Sequence, residues 1–160
     1  MSSSRLSLAL VLLSIGGLAL ALWSQHVWGM RPCPWCVFQR LLLILIGSAA
    51  LISLWARSLP KLRIASLITT TLLAIGGIAS ASYHYLVAAN DQEACVQSWV
   101  EQLMVQSGLE GTLPWLFGIY TSCMDGKVDL WGVDYTLWAL TLFVVLLVIS
   151  VLALRPARSY

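Results

Sequence analysis

Four cysteines carry the reactive chemistry of this sequence: Cys33 and Cys36 in the stretch Cys33-Pro34-Trp35-Cys36, then Cys95 and Cys123. Three kinds of chemistry suit such a set. Structural disulfides are the simplest, and a Cys95–Cys123 bridge would close a long loop and stabilise it by a few kcal/mol. A Cys-x-x-Cys pair is different, because a bridge across so short a stretch restrains almost nothing; such pairs are better suited to opening and closing. A four-thiolate zinc site needs converging ligands, commonly as two closely spaced pairs, and Cys95 and Cys123 are not closely spaced. The third possibility is thiol–disulfide redox catalysis, and the residues around Cys36 favour it.

Pro34 suits the first turn of a helix, where its missing N–H costs nothing. Cys36 then lies near a helix N-terminus, whose partial positive charge favours a thiolate. Arg40 follows four residues later, on the same helical face and one turn deeper. A fixed cation there favours a sulfur anion and can also bind a carbonyl oxygen; the competing expectation is that Arg40 snorkels to the outer headgroups. His84 ends an apolar segment and is a candidate for hydrogen-bonding an acceptor's oxygen or managing protons, against the plainer expectation of an interfacial side chain.

These residues need elements to hold them, and composition says what kind. Of the 160 residues 59% are hydrophobic and only 10% charged, with a mean hydropathy of +0.85. Ordinary soluble domains carry about 25% charged residues. A water-soluble fold of this size would lack the charge to cover its surface. The net charge of +2 comes without a basic cluster interleaved with aromatics, which excludes nucleic acid as a partner.

Four segments read as membrane spans, at about 6–23, 37–55, 64–87 and 135–154. At about 1.5 Å per helical residue, each is long enough, with its flanks, to cross a hydrocarbon core of about 30 Å. Helices are required because lipid cannot satisfy bare backbone groups. Trp23, Trp28, Trp55, Trp131 and Trp138 fall near span ends, as an aromatic belt demands. The predicted fold is an all-α membrane protein, a single four-helix transmembrane bundle. Arg5, the following apolar run and Ala19-Leu20-Ala21 also fit a cleaved secretory signal, but the run is longer than the usual core of about 7–15 residues, which favours a retained span.

Orientation follows from the basic residues. Arg5, Arg57, Lys61, Arg63, Arg155 and Arg158 share one side, which the positive-inside rule makes cytoplasmic, together with both termini. Arg31 and Lys127 lie opposite, and all 7 acids (Asp91, Glu93, Glu101, Glu110, Asp125, Asp129, Asp134) fall between the third and fourth spans. Two outer loops result, a short one at about 24–36 and a long one at about 88–134, and all four cysteines lie on that side. Within the long loop, Glu93 to Gln106 has helical spacing of Val96, Val100, Leu103 and Met104. The run from Gly111 to Tyr120 is apolar but too short to span. It suits either the membrane interface or a small core of the loop's own.

Gln25-His26-Val27, then Pro32-Cys33-x-x-Cys36, then Arg40 resembles the first-loop signature of the DsbB family of quinone-dependent disulfide-generating membrane proteins. The likeness extends through the topology and the two later cysteines to Leu130-Trp131-Gly132 and Trp138. One departure is that Asp134-Tyr135-Thr136-Leu137 precedes Trp138 where the family often carries a proline. The resemblance implies a relay in the bacterial inner membrane, with the cysteines facing the periplasm. Cys95–Cys123 would accept electrons from a reduced periplasmic thioredoxin-like oxidase of the DsbA type, with Cys95 attacked. Cys123 would then exchange with Cys33, freeing Cys36 as a thiolate against a quinone, ubiquinone or menaquinone. Arg40 and His84 would be the quinone-binding residues. An accessible long loop would offer its sulfurs to the protein partner. Proteins of the vitamin K epoxide reductase type use similar chemistry, but there the loop pair precedes the Cys-x-x-Cys, the reverse of the order here. The alternative from another class is a non-catalytic membrane module with structural disulfides or a thiolate metal site.

Overall fold

A computed structural model describes residues 3–91, 93, 95, 98–125, 129–130 and 132–154. Val96, Lys127, Trp131, Arg155 and Arg158, used above, lie outside the described residues.

Among the described residues, four helices are long and apolar enough to cross a membrane. They are α1 (Ser3–Val27), α2 (Pro34–Trp55, prolonged by a 3-10 turn at Ala56–Ser58), α3 (Pro60–Tyr83, prolonged by a π-helical turn at His84–Ala88) and, last in the chain, α7 (Tyr135–Leu154). The protein is a multi-pass helical membrane bundle. Pro34 and Pro60 each open a helix, where a fixed φ and an absent donor are harmless. Gly29, at φ 67°, turns the chain out of α1 after Trp28 and Met30 have donated back to the Ser24 carbonyl, each at 3.2 Å. The helix therefore carries Gln25 and His26 beyond the apolar run, and the non-helical link to α2 is brief.

The helices form a ring in which α1 packs on α2 and α7, and α3 packs on α2 and α7. Leu10, Ile46, Leu67, Phe143 and Leu146 fill its centre. Gly77 and fully buried Ala81 lie on the packed face of α3; a Cβ on Gly77 would run into the Phe143 ring, whereas Gly76 faces open space. Ser7–Ser53 at 3.1 Å and Thr71–Ser150 at 3.0 Å pair hydroxyls between helices. Leu12, Ile15, Leu72 and Val148 face outward, where lipid rather than water suits them. Ser3 Oγ donates to the Ala153 carbonyl at 3.0 Å, so the start of α1 and the end of α7 meet at one end of the bundle. All four cysteines gather at the other.

The long connection between α3 and α7 folds over that second end. Glu93 and Cys95 are helical, and the Glu93–Gln106 pattern is broken at Ser98, which starts helix α4 (Trp99–Gln106) by accepting the Glu101 N–H at 3.2 Å. Val100 and Met104 are its fully buried face. Two single turns follow, α5 (Leu109–Thr112) and α6 (Pro114–Phe117), then a short antiparallel pair, β1 (Asp129–Leu130) with β2 (Val133–Asp134), that leads into α7. The apolar run 111–120 divides its side chains. Leu116 and Phe117 pack with Val37 of α2, Met104 of α4 and Leu18 and Leu22 of α1, while Leu113, Trp115 and Tyr120 point outward. The expected small core is thus present at Leu116 and Phe117.

Candidate functional site

Cys33 is the N-cap of α2, with extended backbone, and Cys36 lies in the first turn. Their thiols face each other with sulfurs 3.0 Å apart. Cys95 and Cys123 form a disulfide with Cα atoms 5.8 Å apart, and the Cys123 N–H donates to the Cys95 sulfur at 2.9 Å. The long connection brings this bridge down on α2. Cys33 Sγ, Cys123 Sγ and a ring nitrogen of His84 all lie within 4.8 Å of one another. The two cysteine pairs are one cluster.

That cluster has a dry interior. Cys33, Trp35, Ala88, Cys95, Val100 and Cys123 pack together, with Cys36 and Phe38 at their margin. Cys95 was expected to be an accessible sulfur on an open loop; it is instead 0% exposed. The reason is that the connection is no linker. Val100 and Met104 bury one face of α4 and draw the preceding cysteine inward. Cys33, just ahead of the spanning helix, is also buried, and burial first, then the hydrogen bond with Cys36, pushes its thiol well above the ordinary range. Cys36 is the half-buried member of the inner pair.

Arg40 does not snorkel. It is 5% exposed and bonded inside the protein. Nη1 donates to Gln25 Oε1 at 2.6 Å and to the Leu116 carbonyl at 2.9 Å, and Nη2 donates to the Ala21 carbonyl at 3.2 Å. One guanidinium thus ties α1, α2 and α6 together through neutral partners. Both Nη1 hydrogens are used, whereas Nε and one Nη2 hydrogen have no bond to these partners.

His84, in the π-helical turn, sits with Nε2 3.5 Å from Cys33 Sγ, while its buried Nδ1 has no hydrogen-bond partner among the described residues. His26 is exposed and bonds the Leu22 carbonyl one turn back, away from the cysteines. Aromatic rings line one side of the dithiol. Trp35 lies 4.9 Å from Tyr83 and 6.1 Å from Trp99, centroid to centroid, and Phe38 lies 5.4 Å from Trp99. A surface cavity of about 510 Å³ between the outer ends of α3 and α7 is lined by Tyr85, Leu86, Asp129 and Asp134 among others, and by no cysteine.

The sequence thus places Cys33, Cys36 and Arg40 on one helix start, and the folded chain adds Cys123, His84 and Cys95. The roles of Gln25 and of the Leu116 carbonyl were not anticipated. Gln25 stood in the motif Gln25-His26-Val27, but nothing in its spacing from Arg40 announces that they pair. A backbone carbonyl leaves no sequence signal at all. Chemically, the arrangement offers a dithiol, a disulfide within exchange reach of it, an imidazole beside the shared sulfur, and a buried cation with donors to spare.

The sequence pattern of one protein family, described as disulfide bond formation protein DsbB, matches residues 3–153. Among individual proteins, disulfide bond formation protein B of Ralstonia nicotianae is 30% identical over 160 residues, covering 96% of this chain and 94% of that protein. Disulfide bond formation protein B 1 of Pseudomonas putida is 32% identical over 154 residues, covering 94% and 88% respectively. Disulfide bond formation protein B of Shigella boydii is 26% identical over 149 residues, covering 91% and 84%.

Proposed function

The chain belongs to the DsbB family of disulfide-forming membrane oxidoreductases, and from that premise we propose that it reoxidises a periplasmic thioredoxin-like oxidase of the DsbA type and delivers the electrons to a membrane quinone, ubiquinone or menaquinone. The observation that carries this reading is the closeness of Cys33 Sγ to Cys123 Sγ, within 4.8 Å. Electrons that enter at the outer disulfide have a path to the inner pair without large movement.

The relay balances as follows. A thiolate of the reduced partner attacks Cys95, forming a mixed disulfide and releasing Cys123 as a thiolate. Cys123 attacks Cys33 of the oxidised inner pair, forming a Cys123–Cys33 disulfide and freeing Cys36. The partner's second thiol resolves its bond to Cys95, leaving the partner oxidised, and Cys95 then displaces Cys33 from Cys123. The outer disulfide is restored and the inner pair holds two electrons, the bonding pattern of this structure. Since Cys95 is buried, the first attack needs a local opening that exposes its sulfur. His84 Nε2, beside Cys33, is placed to take and return that thiol's proton.

The residues around Cys36 fit a quinone. Cys36 is the more exposed residue of the inner pair, Trp35, Phe38 and Trp99 provide flat apolar surface, and Arg40 retains donors for a carbonyl oxygen. Bound there, a quinone supplies the two-electron acceptor and leaves as quinol. Arg40 orients and holds charge; the aromatic wall excludes water. Arg5, Arg57, Lys61 and Arg63 gather at the end opposite the cysteines, which supports cytoplasmic termini and periplasmic loops in a bacterial inner membrane.

The test is anaerobic. Detergent-purified protein is reduced, freed of reductant and given a soluble quinone, and quinone absorbance is followed with a free-thiol count. Quinone consumption matched to thiol loss, absent in Cys36→Ala, is the expected result. Thiols persisting beside untouched quinone would overturn the reading.

A further inference from the structure

Reduction does more here than pass electrons. Cys33 Sγ, Cys123 Sγ and a ring nitrogen of His84 converge within 4.8 Å, all three on buried residues. Cys36 Sγ, 3.0 Å from Cys33 Sγ, adjoins this cluster as a fourth donor. In the disulfide form Cys123 cannot serve as a ligand, because its sulfur is bonded to Cys95. Opening that bond takes two electrons from a dithiol, which leaves as a disulfide, and releases Cys123 in place.

We propose that the fully reduced chain is a zinc site, a Cys33–Cys36–Cys123–His84 tetrahedron that forms only when the outer disulfide opens. A tetrahedral zinc ion with bonds of about 2.3 Å to sulfur and about 2.0 Å to nitrogen needs its donors roughly 3.5–3.8 Å apart. The Cys33–His84 separation of 3.5 Å already meets that spacing, and Cys36, 3.0 Å from Cys33, has to rotate toward the other two donors to complete the set. Cys123, once free, needs a side-chain rotation rather than a backbone shift, since it already lies within the 4.8 Å cluster. The donor set of three thiolates and one imidazole matches what zinc takes in closed sites. The sequence separation that argued against four thiolates does not apply, because His84 replaces Cys95 and the fold supplies the convergence. Binding a divalent ion displaces the protons its thiol ligands still carry and occupies three of the four sulfurs that the relay uses. Zinc would therefore hold the over-reduced protein in a closed, inactive form until oxidant or chelator frees it. This inference stands apart from the quinone reading, since it needs only the four side chains and a reductant.

The test uses the full chain in detergent, reduced with a phosphine under nitrogen, desalted, and titrated with Co²⁺ and then Zn²⁺. Reduced wild type should take up one Co²⁺ per chain with tetrahedral visible bands and sulfur-to-cobalt charge transfer of three thiolates, all displaced by one equivalent of Zn²⁺. The disulfide form should show none of this at the same concentrations. Cys123→Ser and His84→Asn should each weaken binding tenfold or more, whereas Cys95→Ser, once reduced, should bind like wild type. The thiolate count in the wild-type spectrum keeps the test decisive if a variant fails to fold. A reduced wild type without tetrahedral cobalt bands, a Cys123→Ser protein binding as tightly as wild type, or loss of binding in folded Cys95→Ser would each overturn the proposal.

Discussion

Gln25 is not a reactive residue, yet its removal should be felt at the quinone. Its Oε1 receives the shortest of Arg40's hydrogen bonds, at 2.6 Å, against 2.9 Å to the Leu116 carbonyl and 3.2 Å to the Ala21 carbonyl. A hydrogen bond to a charged group contributes about 1.5–3 kcal/mol. Gln25 is itself only half-buried, so water can partly replace it in Gln25→Ala, and the lower end, about 1.5 kcal/mol, is the appropriate figure. That is roughly a tenfold fall in the ratio of aligned to misaligned guanidinium, and apparent quinone affinity falls with the aligned fraction. Gln25→Ala should thus raise the quinone KM by up to about tenfold. The rate of disulfide exchange between reduced partner and the Cys95–Cys123 bond should be unchanged. Stopped-flow quinone reduction, beside partner oxidation followed by thiol count, separates the two. Gln25→Glu, which keeps an acceptor, should restore the KM. Wild-type quinone kinetics in folded Gln25→Ala protein would refute the idea that Gln25 aligns Arg40.

Arg40→Ala should impair quinone reduction more than Gln25→Ala while leaving partner exchange intact; equal quinone kinetics in wild type and variant would remove Arg40 from the site. Because a Cβ on Gly77 meets the Phe143 ring, Gly77→Ala should cost about 1–3 kcal/mol in a reversible unfolding titration in detergent. Gly76→Ala, which faces open space, should cost far less, and the Phe143→Leu background should relieve part of the Gly77 penalty. In the form with the inner pair reduced, a small alkylating reagent should modify half-buried Cys36 before buried Cys33, as peptide mass spectrometry would report. The Cys33 thiol is raised above its ordinary value of 9.0, so it is protonated at neutral pH, and its alkylation should still be climbing above pH 9 rather than levelling off there.

Much of this molecule was legible residue by residue. Hydropathy is a local property, so the helices α1, α2, α3 and α7 were readable from runs such as 64–87 and 135–154 without any knowledge of their neighbours. Pro34 announces the start of α2 because proline is tolerated in a helix chiefly in its first turn, and that alone sets Cys33 and Cys36 at a helix start with Arg40 one turn below. The helical character of Glu93 to Gln106 was legible, though not the break at Ser98 that starts α4. Everything that joins distant segments was not. Whether Arg40 snorkels or is caged depends on Gln25, the Ala21 carbonyl and the Leu116 carbonyl arriving from α1 and α6, and a carbonyl belongs to every residue alike. Cys95 looked accessible because loops usually are, but Val100 and Met104 give α4 an apolar face that must be buried. The meeting of Cys33, His84 and Cys123 likewise exists only because the connection folds back over the ends of α2 and α3. Residue types and local spacing determined the spans and the reactive pair; contacts between remote parts of the chain required the tertiary structure, because their energies depend on which surfaces the packed helices leave to be covered.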